Sequence, residues 1–185
     1  MGRCSLRYEL LALVWALAAG PALAEQRLGL GTPALPADIA AWDLDAAPDG
    51  AGLPTGHGSV GEGATLYAER CASCHGPRGQ EGALLPALRL AGGEGSLASA
   101  RPVQTVGSYW PFATTLFDYV RRAMPFNAPQ SLSPDQVYAV TAFVLHLNGL
   151  LPEDAVLDAV SLRRVRMPNR DGFRAVEVPG VVPRP

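Results

Sequence analysis

No lysine occurs in the chain: all fifteen basic side chains are arginine, set against 17 acidic ones for a formal net charge of −2. A chain so nearly neutral has no electrostatic footprint for a nucleic-acid backbone or an anionic membrane surface. Arginine in place of lysine reads first as coding bias and only second as rigid bidentate surface pairing. Internal repeats are missing, and so is a second cysteine pair. Of three cysteines, Cys4 precedes an apolar run, which leaves only Cys71 and Cys74 beyond it. Long apolar runs are scarce as well. The one that stands out, Leu10–Ala19, is shorter than the roughly 20 residues a spanning helix needs. It follows Arg3 and Arg7 and precedes Ala22-Leu23-Ala24, the pattern of a cleaved secretory signal. Residues 1–24 are therefore read as a signal peptide, with export to the periplasm, a mature start at Glu25 and membrane contact only through the removed segment. At 185 residues and 48% hydrophobic composition, the remainder suffices for one domain with extensions.

Residues 25–58 read as an irregular arm, dense in Gly and Pro, with a helical turn near Asp38–Trp42 and Trp42 as apolar anchor. The domain proper is expected over 59–150 and is all-α. A wheel drawn from Glu62 to His75 places Gly63, Tyr67, Cys71 and Cys74 in one sector, with Glu62, Glu69 and Ser73 opposite. Gly63 one turn from Tyr67 suits the close approach of another helix. A Gly-rich loop is expected over 76–107. A second helix follows over 113–123, with Leu116, Phe117, Val120 and Ala123 inward and Asp118 paired outward with Arg122. It stops at Met124-Pro125. The third helix starts at Ser133, with Pro134 first and Gln136 completing a capping box, and ends at Asn148-Gly149. Val137, Val140, Thr141, Val144 and Leu147 form its buried stripe, and His146 lies off it. Residues 151–185 read as an Arg-rich tail, a solvated surface or a docking element.

The chemistry sits in Cys71-Ala-Ser-Cys74-His75-Gly76. Zinc needs four ligands, and only His57 and His146 stand beyond this cluster. A thioredoxin-like dithiol belongs after a strand, and no strand alternation is visible near it. Covalent haem attachment fits best: Cys71 and Cys74 add to the two vinyl groups, and His75 follows as the proximal iron ligand. Of the two methionines in the mature chain, Met124 lies between two helices that hold it in register and is the expected sixth ligand; Met167, in the tail, suits core packing. Pro86 is a candidate carbonyl partner for the second ring nitrogen of His75, and Tyr109 and Trp110 are candidate partners for the propionates.

The stretches GATLYAERCASCHG, RRAMPF and SPDQVYAVTAFVLHLN, within residues 59–150, resemble the class I c-type cytochromes. That resemblance implies three main helices around one covalent haem c, with the first and last helices crossing at Gly63, Tyr67 and Phe143. TVGSYWPFATTLFDYVRRAMPFNAPQSL, AAWDLDAAPDGAGLP and VRMPNRDGF are similar to the cytochrome subunit of periplasmic sulfite dehydrogenases and Sox-type sulfur dehydrogenases. This implies a non-enzymatic electron acceptor for a molybdopterin subunit that oxidises sulfite or sulfane sulfur, passing electrons to a downstream cytochrome or oxidase. Sox-type subunits can carry two haems; this chain has one CxxCH. The rival readings are an independent electron carrier and a haem enzyme or gas sensor with a displaceable sixth ligand.

Overall fold

Hydroxyl and carboxylate caps fix where the helices begin. Ser59 opens a helix at Val60–Arg70: its Oγ accepts the Glu62 N–H at 3.2 Å, and Glu62 returns a carboxylate to the Ser59 N–H at 2.8 Å. Ser133 does the same with Gln136 for the helix Pro134–Leu147, as its sequence predicts. A computed structural model of the protein describes residues 30–80 and 88–174. The predicted signal segment, Pro86 and the last part of the tail lie outside the described residues.

In chain order the elements are α1 (Pro36–Trp42), β1 (His57–Ser59), α2 (Val60–Arg70), α3 (Ala72–His75), a 3-10 turn (Ser96–Ala98), α4 (Val106–Tyr109), α5 (Ala113–Ala123), α6 (Pro134–Leu147), β2 (Val156–Asp158) and α7 (Ala159–Arg164). The chain divides into two units between Ile39 and Ala40, and the second contains every element after α1. The mostly helical architecture agrees with the sequence. The two strands do not: β1 and β2 pair antiparallel, Gly58 opposite Leu157, and three residues per strand leave too short a run for alternation to register.

Helices α2 and α6 cross at Gly63. A Cβ there would lie 1.9 Å from the Ala139 carbonyl oxygen and 2.9 Å from the Phe143 Cβ, so only glycine lets the backbones approach this closely. Tyr67 meets Phe143 one turn on, ring centroids 5.1 Å apart. Gly63→Ala forces the two helices apart and is expected to cost about 3 kcal/mol, read as a lower denaturant midpoint at unchanged slope.

The segment beyond Leu150 departs from its reading as a tail. Leu157, Leu162 and Met167 are at most 1% exposed and share one core with Phe117, Tyr138 and Leu145. The folded body therefore runs past the expected boundary at 150. Trp42 is likewise no anchor, being 81% exposed. The segment around residues 44–54 is held instead by Ala46 and Leu53, which pack in and against the core, and by backbone groups such as the Pro54 carbonyl, which accepts from Tyr138 Oη at 2.8 Å.

Thr141 is fully buried in α6, and its Oγ1 has no hydrogen-bond partner among the described residues. Valine has nearly the same shape and no hydroxyl to desolvate. Thr141→Val is expected to raise stability by about 1 kcal/mol, visible as a higher thermal midpoint; a lower one would mean that the hydroxyl is bonded in solution.

Candidate functional site

The helix that starts at Ser59 does not run unbroken to His75. Cys71 leaves helical geometry (φ −123°, ψ −37°), and a separate turn, α3, carries Cys74 and His75 before Gly76 ends it with φ 76°. The turn stays tied to its parent helix, since the Cys71 N–H donates to Tyr67 O at 2.9 Å and Tyr67 Oη donates to Gly76 O at 2.9 Å. Burial and the nearby Cys71 sulfur push the Tyr67 phenol up, which keeps it a donor.

Cys71, Cys74 and His75 line a cleft of about 520 Å³. Leu116, Tyr119 and Val120 of α5 and Val140 and Val144 of α6 also line it, together with Trp110, Leu90 and Val106. Met124, the residue at which α5 ends, lines it as well. Met167 does not; it is a core residue. The two thiols are not joined to each other. Burial, and then the charge of Cys74, pushes the Cys71 thiol up to about 11, so it is protonated at neutral pH.

The imidazole of His75 is oriented. Its Nδ1 lies 2.6 Å from the carbonyl oxygen of Leu88; a carbonyl only accepts, so Nδ1 is the donor, and in the neutral ring Nε2 is the nitrogen left for a metal. The expected partner, Pro86, lies outside the described residues; Leu88, two positions on, supplies the carbonyl. The loop that presents Leu88 is fixed by Leu90, whose N–H donates to Gly79 O at 2.7 Å and whose carbonyl accepts from Asn148 Nδ2 at 3.0 Å. Asn148 also bonds Val144 O at 2.8 Å and sits against Gly107, where a Cβ would approach its Oδ1 to 2.3 Å. From sequence Asn148 reads only as a helix stop, and nothing local marks it as a brace.

Trp110 lines the cleft, edge-to-face with Tyr119 at 5.8 Å. Tyr109 is not among the cleft-lining residues. Its ring packs on Phe173 at 5.1 Å and its carbonyl accepts from Asn169 Nδ2 at 2.7 Å, because the C-terminal segment covers it. Nothing in their local sequence marks Tyr119 or Phe126, yet both line the cleft; Phe126 is 85% exposed. Among the described residues no three His, Cys, Asp or Glu side chains converge as a metal cluster, and no helix is long and apolar enough to cross a membrane.

The donor set tests the cofactor. Two unbridged thiols and an imidazole with its free nitrogen share one turn, and a thioether and a set of aliphatic side chains line the same cleft. That chemistry suits a flat, largely apolar iron porphyrin held through sulfur. The family model for cytochrome c matches residues 60–148. A chain in the crystal structure of the sulfane dehydrogenase SoxCD from Paracoccus pantotrophus is 49% identical, with 82% of this chain and 73% of that one covered and a TM-score of 0.75. The chain is a class I c-type cytochrome. Its cofactor is covalent haem c, and its role is electron transfer. No curated protein sequence matches this cytochrome.

Proposed function

We propose that this cytochrome is an exported, single-haem electron acceptor for a molybdopterin-dependent sulfite or sulfane dehydrogenase, with His75 and Met124 as axial ligands. The observation that carries the partner is the 49% identity, across 82% of the chain, to a chain of the sulfane dehydrogenase SoxCD. Haem c, when bound, supplies a one-electron ferric/ferrous couple. Cys71 and Cys74, both free thiols, would hold it through thioether bonds to its two vinyl groups. His75 would hold the iron through Nε2, its ring oriented by the Leu88 carbonyl. Met124, which lines the same cleft, would hold the iron through its sulfur, and a thioether favours the ferrous state relative to a second imidazole. Trp110, which lines the cleft, carries an indole N–H that would donate to a propionate. With His75 and Met124 both on the iron no position would be left for substrate, and oxidation of the sulfur compound would fall to the partner. Arg3, Arg7 and Ala22-Leu23-Ala24 support export and cleavage after Ala24.

The test mixes the ferric holoprotein with a molybdopterin sulfite or sulfane dehydrogenase subunit and its substrate and follows reduction by stopped flow. Substrate-dependent reduction well above that of an unrelated c-type cytochrome supports the pairing. Equal rates for the two cytochromes would leave an independent carrier.

A further inference from the structure

Thr114, Asp118, Arg121 and Arg122 fall at i, i+4, i+7 and i+8 of α5 and so form one stripe. Each is bonded to the segment 44–52. Thr114 Oγ1 donates to Pro48 O at 3.4 Å; Asp118 Oδ1 accepts the Ala46 N–H at 2.8 Å; Arg121 Nη1 donates to Leu44 O at 3.1 Å and Gly52 O at 3.3 Å. Arg122 donates through Nε to both Asp118 oxygens at 3.1 Å and lies 3.4 Å from Asp45. Asp118 and Arg122 are thus no outward pair: the carboxylate is a nearly buried junction between helix and loop.

The loop is itself stiff. Ala47 N–H bonds Ala51 O at 2.9 Å and Gly50 N–H bonds Ala47 O at 2.9 Å. Gly52 has φ +80°, and a Cβ there would stand 1.9 Å from the Asp45 carbonyl oxygen. Three of the four stripe residues occupy the last turn and a half of α5, directly before Met124, whose N–H bonds Val120 O at 3.1 Å. Cleft-lining Tyr119 and Val120 share that turn.

We infer that this clasp is a positioning device for Met124. Asp118 and Arg121 anchor the end of α5 to a rigid loop and so fix where the Met124 sulfur stands. The inference rests on Met124 being the sixth ligand. The buried, charge-assisted contacts at Asp118 carry it, while the exposed Asp45 contributes little.

The test is imidazole titration of the ferric holoprotein, beside the thioether-to-iron charge-transfer band, the reduction potential and thermal unfolding. Imidazole competes only for molecules whose sixth position is open, so its apparent affinity reads that fraction. Asp118→Asn is expected to tighten imidazole binding about tenfold and weaken the band. Arg121→Gln shifts both in the same direction and carries the test if Asp118→Asn does not accumulate. Asp45→Asn leaves both unchanged. Leu157→Ala, which opens the core under the small sheet, lowers the thermal midpoint without changing imidazole affinity. If Asp118→Asn and Arg121→Gln only lower the thermal midpoint, as Leu157→Ala does, the clasp is merely structural and the inference fails. If the parent already binds imidazole as tightly as Met124→Ala, the ligation itself is wrong, and the clasp's role falls with it.

Discussion

Met124→Ala is expected to open the iron: the variant should bind carbon monoxide when reduced, bind imidazole on the order of a hundredfold more tightly than the parent when oxidised, and lose the thioether-to-iron band. Its reduction potential should fall, because the thioether is the ligand that favours ferrous iron. Stability should fall by less than for a fully buried methionine: Met124 is half-buried at the end of α5 and packs only on the edge of the core. Met167→Ala is the matched control. That side chain is 1% exposed in the core, so its removal should cost about 2–5 kcal/mol and leave the iron spectrum as it was. The same comparison decides between an electron carrier and a haem enzyme or gas sensor. A parent that binds carbon monoxide as strongly as Met124→Ala has a displaceable sixth ligand, and the carrier reading is lost.

Deletion of residues 151–185 is expected to abolish cooperative unfolding. The removed segment supplies β2, the pairing partner of β1, so Gly58 would lose its strand while its backbone still lies against Ala139 of α6. It also supplies Leu157, Leu162 and Met167, each worth roughly 1.5–3 kcal/mol in burial, against a net stability of about 5–15 kcal/mol for an ordinary domain. Asn169 and Phe173 go with them, freeing the Tyr109 backbone just before cleft-lining Trp110. Calorimetry of the truncated chain, matured with haem where it accepts it, should show no sharp transition. A melt within a few degrees of the full chain would restore the boundary at 150 and make the segment an appendage after all. Arg166 and Asp171, a 3.6 Å ion pair exposed on both sides, offer little stabilisation in either case.

Sequence and structure agree where the signal is local in the chain. Ser59 with Glu62 and Ser133 with Gln136 cap their helices by contacts three residues apart, so type and spacing suffice to announce them. Gly63 and Tyr67 mark a crossing because only a missing side chain permits one. They part company where a side chain meets backbone. Asp118 bonds the N–H of Ala46, 72 residues away, and His75 the carbonyl of Leu88; since every residue carries these groups, neither partner leaves a trace in composition.

The sequence by itself determined the chemistry: two thiols and an imidazole in five consecutive residues, a cap at Ser59 that starts the helix leading to them, and a thioether at a helix end. Only the tertiary structure decided that Trp110 enters the cleft while Tyr109 turns to Phe173, that Asp118 faces a loop, and that the final segment belongs to the core. Attachment chemistry is carried by side-chain identity at short spacing, whereas burial and orientation are properties of surfaces that meet only once the chain has folded.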